Sequence, residues 1–161
     1  MEIRKTKHKD LPQVMPLFEV ARIFMKKTGN PNQWPETYPS QLDIEKDIEN
    51  KGSYICEEDN EILGIFYCNT EIESDYDYID GAWIQEGPYG VIHRIAIGNK
   101  GKGSASFCMA WCQKNWQALR VDTHKDNLPM QGLLKKFGFV HCGTIYLKNG
   151  EPRFAFEWIK A

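Results

Sequence analysis

The sequence reads as a mixed α/β chain in which one central sheet, mostly antiparallel, carries helices on both faces. Segments with strand patterning outnumber helical ones, and a sheet covered by fewer helices is a layered arrangement that buries both sets of apolar surface. Two strand pairs flank short polar turns, Glu58-Asp59-Asn60-Glu61 and Lys148-Asn149-Gly150-Glu151, the second with the Asn-Gly pair that favours tight hairpins. Between them the pattern changes to strand, glycine-rich loop, helix and strand over residues 91–123. A crossover of that kind joins parallel strands, so the sheet must be mixed.

Taken in order, Glu2–Lys7 alternates well enough for a first strand. Asp10 is placed to cap a helix over Leu11–Lys27, with Pro12 tolerated in its first turn. Val14, Leu17, Phe18, Ala21, Phe24 and Met25 recur at helical spacing and give that helix an apolar face. Pro16 has no amide proton to donate, so the uninterrupted helix is expected to begin only after it. Gly29–Ser40, with its prolines and the aromatics Trp34 and Tyr38, reads as an ordered loop that either plugs the core edge or shapes a pocket. A second helix over Gln41–Asn50 should end at Gly52. Ser53–Glu57 and Ile62–Glu71 form the first hairpin, and the acidic stretch Glu71–Asp80 reads as its solvated tip, or else as a rim attracting a cationic amine. Val91–Ile97, a helix from about Gly103, Leu119–Thr123, a helix ending near Gly138, and a closing hairpin of Val140–Leu147 with Arg153–Ile159 complete the chain.

Composition narrows the functional classes. At 161 residues the chain suits one domain, residues 1–161, built on one core. Hydrophobic residues at 42% and charged residues at 26% describe a globular chain, with no run long enough to span a membrane. The first residues lack the apolar stretch of a signal peptide, so a cytoplasmic protein without membrane partners is expected. A net charge of −2 argues against nucleic acid held by overall charge and favours small partners. The five cysteines show no Cys-x-x-Cys spacing, and no His or carboxylate joins Cys108 and Cys112 at ligand spacing, so they read as core thiols and no metal is expected.

The stretch Gly90–Ser106 carries the chemistry. A β-branched strand runs into Lys100-Gly101-Lys102-Gly103-Ser104-Ala105 and a helix opens at once. The unpaired N–H groups and partial positive charge of a helix start, reached through glycines and flanked by lysines, make an anion site suited to a diphosphate. A Walker loop is excluded, because Gly98 is followed at the required distance by Gly103-Ser104 with no lysine between. A dinucleotide fingerprint fits Gly101 and Gly103, but Ser106 replaces its third glycine and too little chain follows Asp122 for the remaining strand–helix units.

The same six residues resemble the pyrophosphate loop of the GNAT acyl-CoA-dependent N-acetyltransferase superfamily, Gln/Arg-x-x-Gly-x-Gly/Ala, with Lys100 in the first position. Asn127-Leu-Pro-Met-Gln-Gly-Leu-Leu-Lys-Lys-Phe-Gly-Phe139 is similar to that family's Asn-x-x-Ala-x-x-Leu-Tyr-x-x-x-Gly-Phe segment, at the same internal spacing and in the expected order. The resemblance implies two central parallel strands that splay apart, here Val91–Ile97 and Leu119–Thr123, with the pantetheine arm of acetyl-CoA between them.

It also implies roles for particular residues. Lys100, Gly101, Lys102, Gly103, Ser104 and Ala105 would hold the phosphates, and main-chain groups of Ile95, Ala96 and Ile97 the acyl arm. Asn127 would contact that arm or cap the following helix, and Lys136, with Lys135, could reach the nucleotide phosphates. Acetyl transfer to a primary amine of a small molecule or peptide needs a base and donors at the thioester carbonyl. His93 lies on the strand where relatives carry a catalytic Glu, and imidazole accepts protons near neutral pH; Glu86, Asp122 and His124 are alternatives. The family's acidic Tyr falls at Leu134, which cannot donate, and Tyr146 is the substitute on the closing hairpin. Trp34, Tyr38, Tyr89 and His124 are the expected acceptor-binding residues. A CoA-binding module without catalysis is the alternative reading, and a homodimer is admissible.

Overall fold

The computed structural model describes residues 1–70, 74–99 and 101–161. Among these residues, eight strands form one sheet: β1 (Glu2–Lys5), β2 (Ser53–Glu58), β3 (Glu61–Asn69), β4 (Asp80–Gly81), β5 (Gly90–Ile97), β6 (Ala118–Thr123), β7 (Val140–Tyr146) and β8 (Pro152–Ile159). Their order is β1-β2-β3-β5-β6-β8-β7-β4. Every neighbouring pair is antiparallel except β5 and β6. Four α-helices among the described residues cover it: α1 (Leu11–Lys27), α2 (Gln41–Glu49), α3 (Ser104–Asn115) and α4 (Leu128–Lys136). Among the described residues, no helix is long and apolar enough to cross a membrane.

Strand alternation divides the core by face. Ile55 of β2 and Ile65 of β3 pack with Val14, Phe18 and Ala21 of α1 and Ile44 of α2, while the adjacent Cys56 and Phe66 join Cys108, Met109 and Cys112 of α3 and Leu134 of α4. The helices therefore lie on both faces, α1 and α2 on one and α3 and α4 on the other. All five cysteines are free; Cys56, Cys68, Cys108 and Cys112 are buried and Cys142 is half-buried.

Several local expectations change. Helix α1 runs unbroken through Pro16, which forfeits one bond near the helix start. Asp10 makes no side-chain cap for α1; its carboxylate instead accepts from the Lys7 N–H at 2.8 Å and pairs with Arg4, closing a 3-10 turn over His8–Asp10. The left-handed residue after α2 is Lys51 (φ 60), not Gly52. Lys51 N–H donates to Ile48 O and Gly52 N–H to Asp47 O, a Schellman closure. Gly52 is required for a different reason, because a Cβ there would run into the Tyr67 ring. The first hairpin turns through Asp59 (φ 52) and Asn60 (φ 64). Within the acidic stretch, Glu71 and Glu73 lie outside the described residues. Its second half is only partly a solvated tip: Asp77, Tyr78 and Asp80 are exposed, but Tyr76 is 3% exposed and Asp80–Gly81 adds an edge strand to β7.

Candidate active site

The site originates in a fork between β5 and β6. These strands pair only at Gly90 with Leu119 and Val91 with Arg120. On its other side β5 follows β3 through a bulge, since Tyr67 pairs with His93 and Ile65 with Ala96, leaving Arg94 and Ile95 opposite Phe66 alone. Arg94 takes φ 49 there, in the left-handed region that a side chain rarely occupies. A bulge bends and twists its strand, and this one lies just beyond Val91, where β5 and β6 stop pairing. Among the described residues, β6 pairs with no residue of β5 beyond Val91.

A cleft of about 480 Å³ fills the fork. Its walls come from both sides of the sheet: Met109 and Met130 from the α3 and α4 side, and Trp34, Tyr38, Asp75 and Arg153 from the other. The cleft is therefore lined from both faces of the sheet.

On the α1 and α2 side, Arg94 organises one wall. Its Nε and Nη2 each donate to an Asp47 carboxylate oxygen at 2.7 Å, and Nη1 donates to the Tyr38 hydroxyl at 3.1 Å. Burial lifts the Tyr38 phenol above its ordinary value against the pull of Arg94. Trp34 packs edge-on to Tyr38 at 5.9 Å. Gln33 pins the same loop across the fork: its Oε1 accepts from Asn127 Nδ2 at 2.9 Å and its carbonyl accepts from Arg153 Nη2 at 3.3 Å. Sequence reasoning passed over Gln33, Asp47 and Arg94, because nothing local marks a polar residue whose partners lie far along the chain.

His93, on the β5 arm, sits with its ring 6.4 Å from Tyr76 and 6.1 Å from Tyr67. The Tyr76 hydroxyl donates to Asp122 Oδ1 at 2.6 Å from the β6 arm. His93 and Asp122, singled out separately from the sequence, both line the cleft.

At the helix start, Gly103 has φ 84, and Ser104 N–H donates to Gly101 O at 2.8 Å. A Cβ on Gly101 would meet Ile97 Cγ2 and stand 2.9 Å from Leu63 O, so only glycine lets this loop press against the strand. The Lys136 ammonium reaches Ser106 Oγ at 3.3 Å from α4, bringing a cation to the first turn of α3. Lys102 is exposed, and Lys100 lies outside the described residues. Asn127 caps α4, its Oδ1 accepting from Met130 N–H at 3.1 Å. Of the expected acyl-arm residues, Ile95 lines the cleft, while the Ala96 side chain is buried among α1 residues and Ile97 packs beside Gly64. Gly101, Lys102, Gly103, Ser104, Ala105 and Lys136 are not among the described residues lining the cleft; the loop lies past the far end of β5, and its close glycine approach, helix start and nearby lysine are features that could hold a diphosphate.

The described residues lining the cleft do not include Tyr146, Tyr89 or His124. Tyr146 is 41% exposed and its ring lies 6.3 Å from Tyr78, so the substitute acid is not brought to the fork. Tyr89 is engaged by Arg120, whose guanidinium lies 3.9 Å from its ring and 4.1 Å from that of Trp83 while bonding Glu157 at 2.9 Å. His124 Nδ1 accepts from the Asp126 N–H at 3.0 Å; burial, and then the Arg153 charge, push its imidazole below the usual histidine value. Leu134 is fully buried among the residues between α3 and the sheet. Glu86 is exposed on the loop before β5.

A mixed sheet with one parallel pair parting over a cleft is the architecture of acyl-CoA-dependent acetyltransferases, and the comparisons agree. The Acetyltransferase (GNAT) family matches residues 17–139. A GNAT-family acetyltransferase from Streptococcus agalactiae 2603 is 34% identical, with TM-score 0.89, over 99% of this chain and 95% of that one. A structure from Staphylococcus aureus Mu50 is 27% identical, with TM-score 0.73, over 99% of each chain. A Listeria monocytogenes 4b F2365 GNAT-family acetyltransferase shares the fold at 16% identity and TM-score 0.73, covering 99% of this chain and 94% of that one. No curated protein matches the sequence. The chain belongs to the GNAT acetyltransferase family and is an acyltransferase.

Proposed function

We propose that the protein transfers the acetyl group of acetyl-CoA directly to a primary amine of a small molecule or peptide, both substrates being held together in the fork. The observation that carries this reading is the early end of β5–β6 pairing, which opens a cleft to both faces of the sheet. GNAT enzymes use acetyl-CoA, which supplies the activated thioester. In this chain the first turn of α3, with Gly101, Gly103 and Lys136, would receive the diphosphate, and the free edge of β5 the pantetheine arm. Main-chain N–H groups near the bulge would be the donors facing the carbonyl oxygen as it gains charge.

His93 would take the proton from the acceptor's ammonium, since a protonated amine has no lone pair for attack. The amine nitrogen then bonds to the carbonyl carbon and releases its second proton to solvent, and the carbon–sulfur bond breaks to give the amide and the thiolate of CoA. With Leu134 in the core and Tyr146 away from the cleft, the departing thiolate takes its proton from solvent; a thiol with pKa near ~8.5 is readily protonated in water. The loop Gly29–Ser40, held by Gln33 and Arg94, would form the acceptor pocket, with Trp34 and Tyr38 as its aromatic walls.

Isothermal calorimetry with acetyl-CoA, and free-thiol release on adding an amine panel, test the proposal. Heat of binding and amine-dependent thiol release are expected. Absence of both would overturn it.

A further inference from the structure

We propose that Asp122 is the docking carboxylate for the acceptor's ammonium group, which places the acceptor among amines that arrive as cations. This deepens the acetyltransferase reading and rests on it. Asp122 follows Val121, which packs into the core on the α3 and α4 side, so strand alternation turns the Asp122 carboxylate to the opposite side, where Tyr76 meets it. That is the side carrying Trp34, Tyr38 and His93.

The charge of Asp122 is what distinguishes it. The buried carboxylates among the described residues each have a guanidinium: Asp47 has Arg94, Glu157 has Arg120 and Asp10 has Arg4. Among the described residues, Asp122 forms no ion pair, and its hydrogen-bond partner is the neutral Tyr76 hydroxyl. Arg120, two residues earlier on the same strand, does not serve, because it is committed to Glu157 and held between Trp83 and Tyr89. A half-buried carboxylate offers about four acceptor positions, and a cleft-facing one without a counter-cation is stabilised by a ligand that brings positive charge and N–H donors. Tyr76, itself 3% exposed and packed at 5.3 Å on Trp83, fixes the carboxylate's direction. Because the same Tyr76 ring lies 6.4 Å from His93, an ammonium on Asp122 stands beside the proposed base at the mouth of the fork.

The test compares charged and uncharged nucleophiles in the intact enzyme with acetyl-CoA. Putrescine and tyramine present ammonium groups at neutral pH, whereas hydroxylamine is largely uncharged. Asp122→Asn should raise KM for the cationic probes about tenfold or more, the size of a lost charge-assisted hydrogen bond, while kcat/KM for hydroxylamine stays within about twofold. Tyr76→Phe keeps the ring packing and the carboxylate, and should raise the cationic KM about fivefold, again sparing hydroxylamine. Equal losses for charged and neutral nucleophiles, or no change for either, would overturn the docking role while leaving the acetyltransferase intact. Failure of the unaltered protein to acetylate any nucleophile would remove the reaction and the docking role together.

Discussion

Arg94 and Asp47 meet through two 2.7 Å hydrogen bonds that tie helix α2 to the bulge of β5. The side chains are 17% and 7% exposed, so the pair is largely out of water. Asp47→Asn leaves a buried guanidinium without its charge partner, and a loss of about 3 kcal/mol in unfolding free energy by urea titration is expected. Arg94→Lys should not restore it, because an ammonium cannot span both oxygens and the Tyr38 hydroxyl together.

If His93 is the base, His93→Ala should lower kcat about a hundredfold or more, the usual contribution of a positioned proton acceptor. The acetyl-CoA dissociation constant from calorimetry should stay within about twofold, because His93 lies on the acceptor side of the fork. Unchanged kcat would assign proton removal elsewhere.

Glycine positions give contrasting expectations. Gly101→Ala drives a Cβ towards Ile97 Cγ2 and the Leu63 carbonyl, so the loop must lift, and acetyl-CoA affinity should fall about tenfold. Gly132 lies inside α4, and a Cβ added there would meet nothing within 4 Å, so Gly132→Ala should stabilise the protein by about 0.5–1 kcal/mol, read as a raised melting temperature.

Acid stability should depend on Asp10. The Arg4 guanidinium, and then the Lys7 N–H, hold its carboxyl below the usual carboxylate range despite burial. A carboxyl depressed in the folded state contributes stability that is present above the unfolded value near ~3.9 and is lost as pH falls through the folded value. Asp10→Asn should therefore lower the melting temperature at neutral pH and flatten its decline below about pH 4.

Local patterns were enough for most of the elements, though not for the edge strand Asp80–Gly81. Alternating apolar residues, the Asp59-Asn60 and Asn149-Gly150 turns, and the Gly101 and Gly103 pair each act within a few residues, so strands, hairpins and the helix start could be placed without knowing their neighbours. The exception among the helices is instructive: Pro16 removes one bond early in α1, too little to offset the burial of Val14, Phe18 and Ala21.

What tertiary structure decided is convergence. Tyr76 lies in a stretch whose composition suggests exposure, yet it bonds to Asp122, 46 residues later, and is buried. Tyr146 and Tyr89, plausible as isolated residues, are carried to Tyr78 and to Arg120 instead of the cleft. The bulge at Arg94 sets which residues of β5 face the fork, and its partner Asp47 comes from a separate helix. A periodic pattern fixes which way a side chain points along its own element; which side chains then meet depends on strand register and long-range packing, and neither is written in the residues nearby.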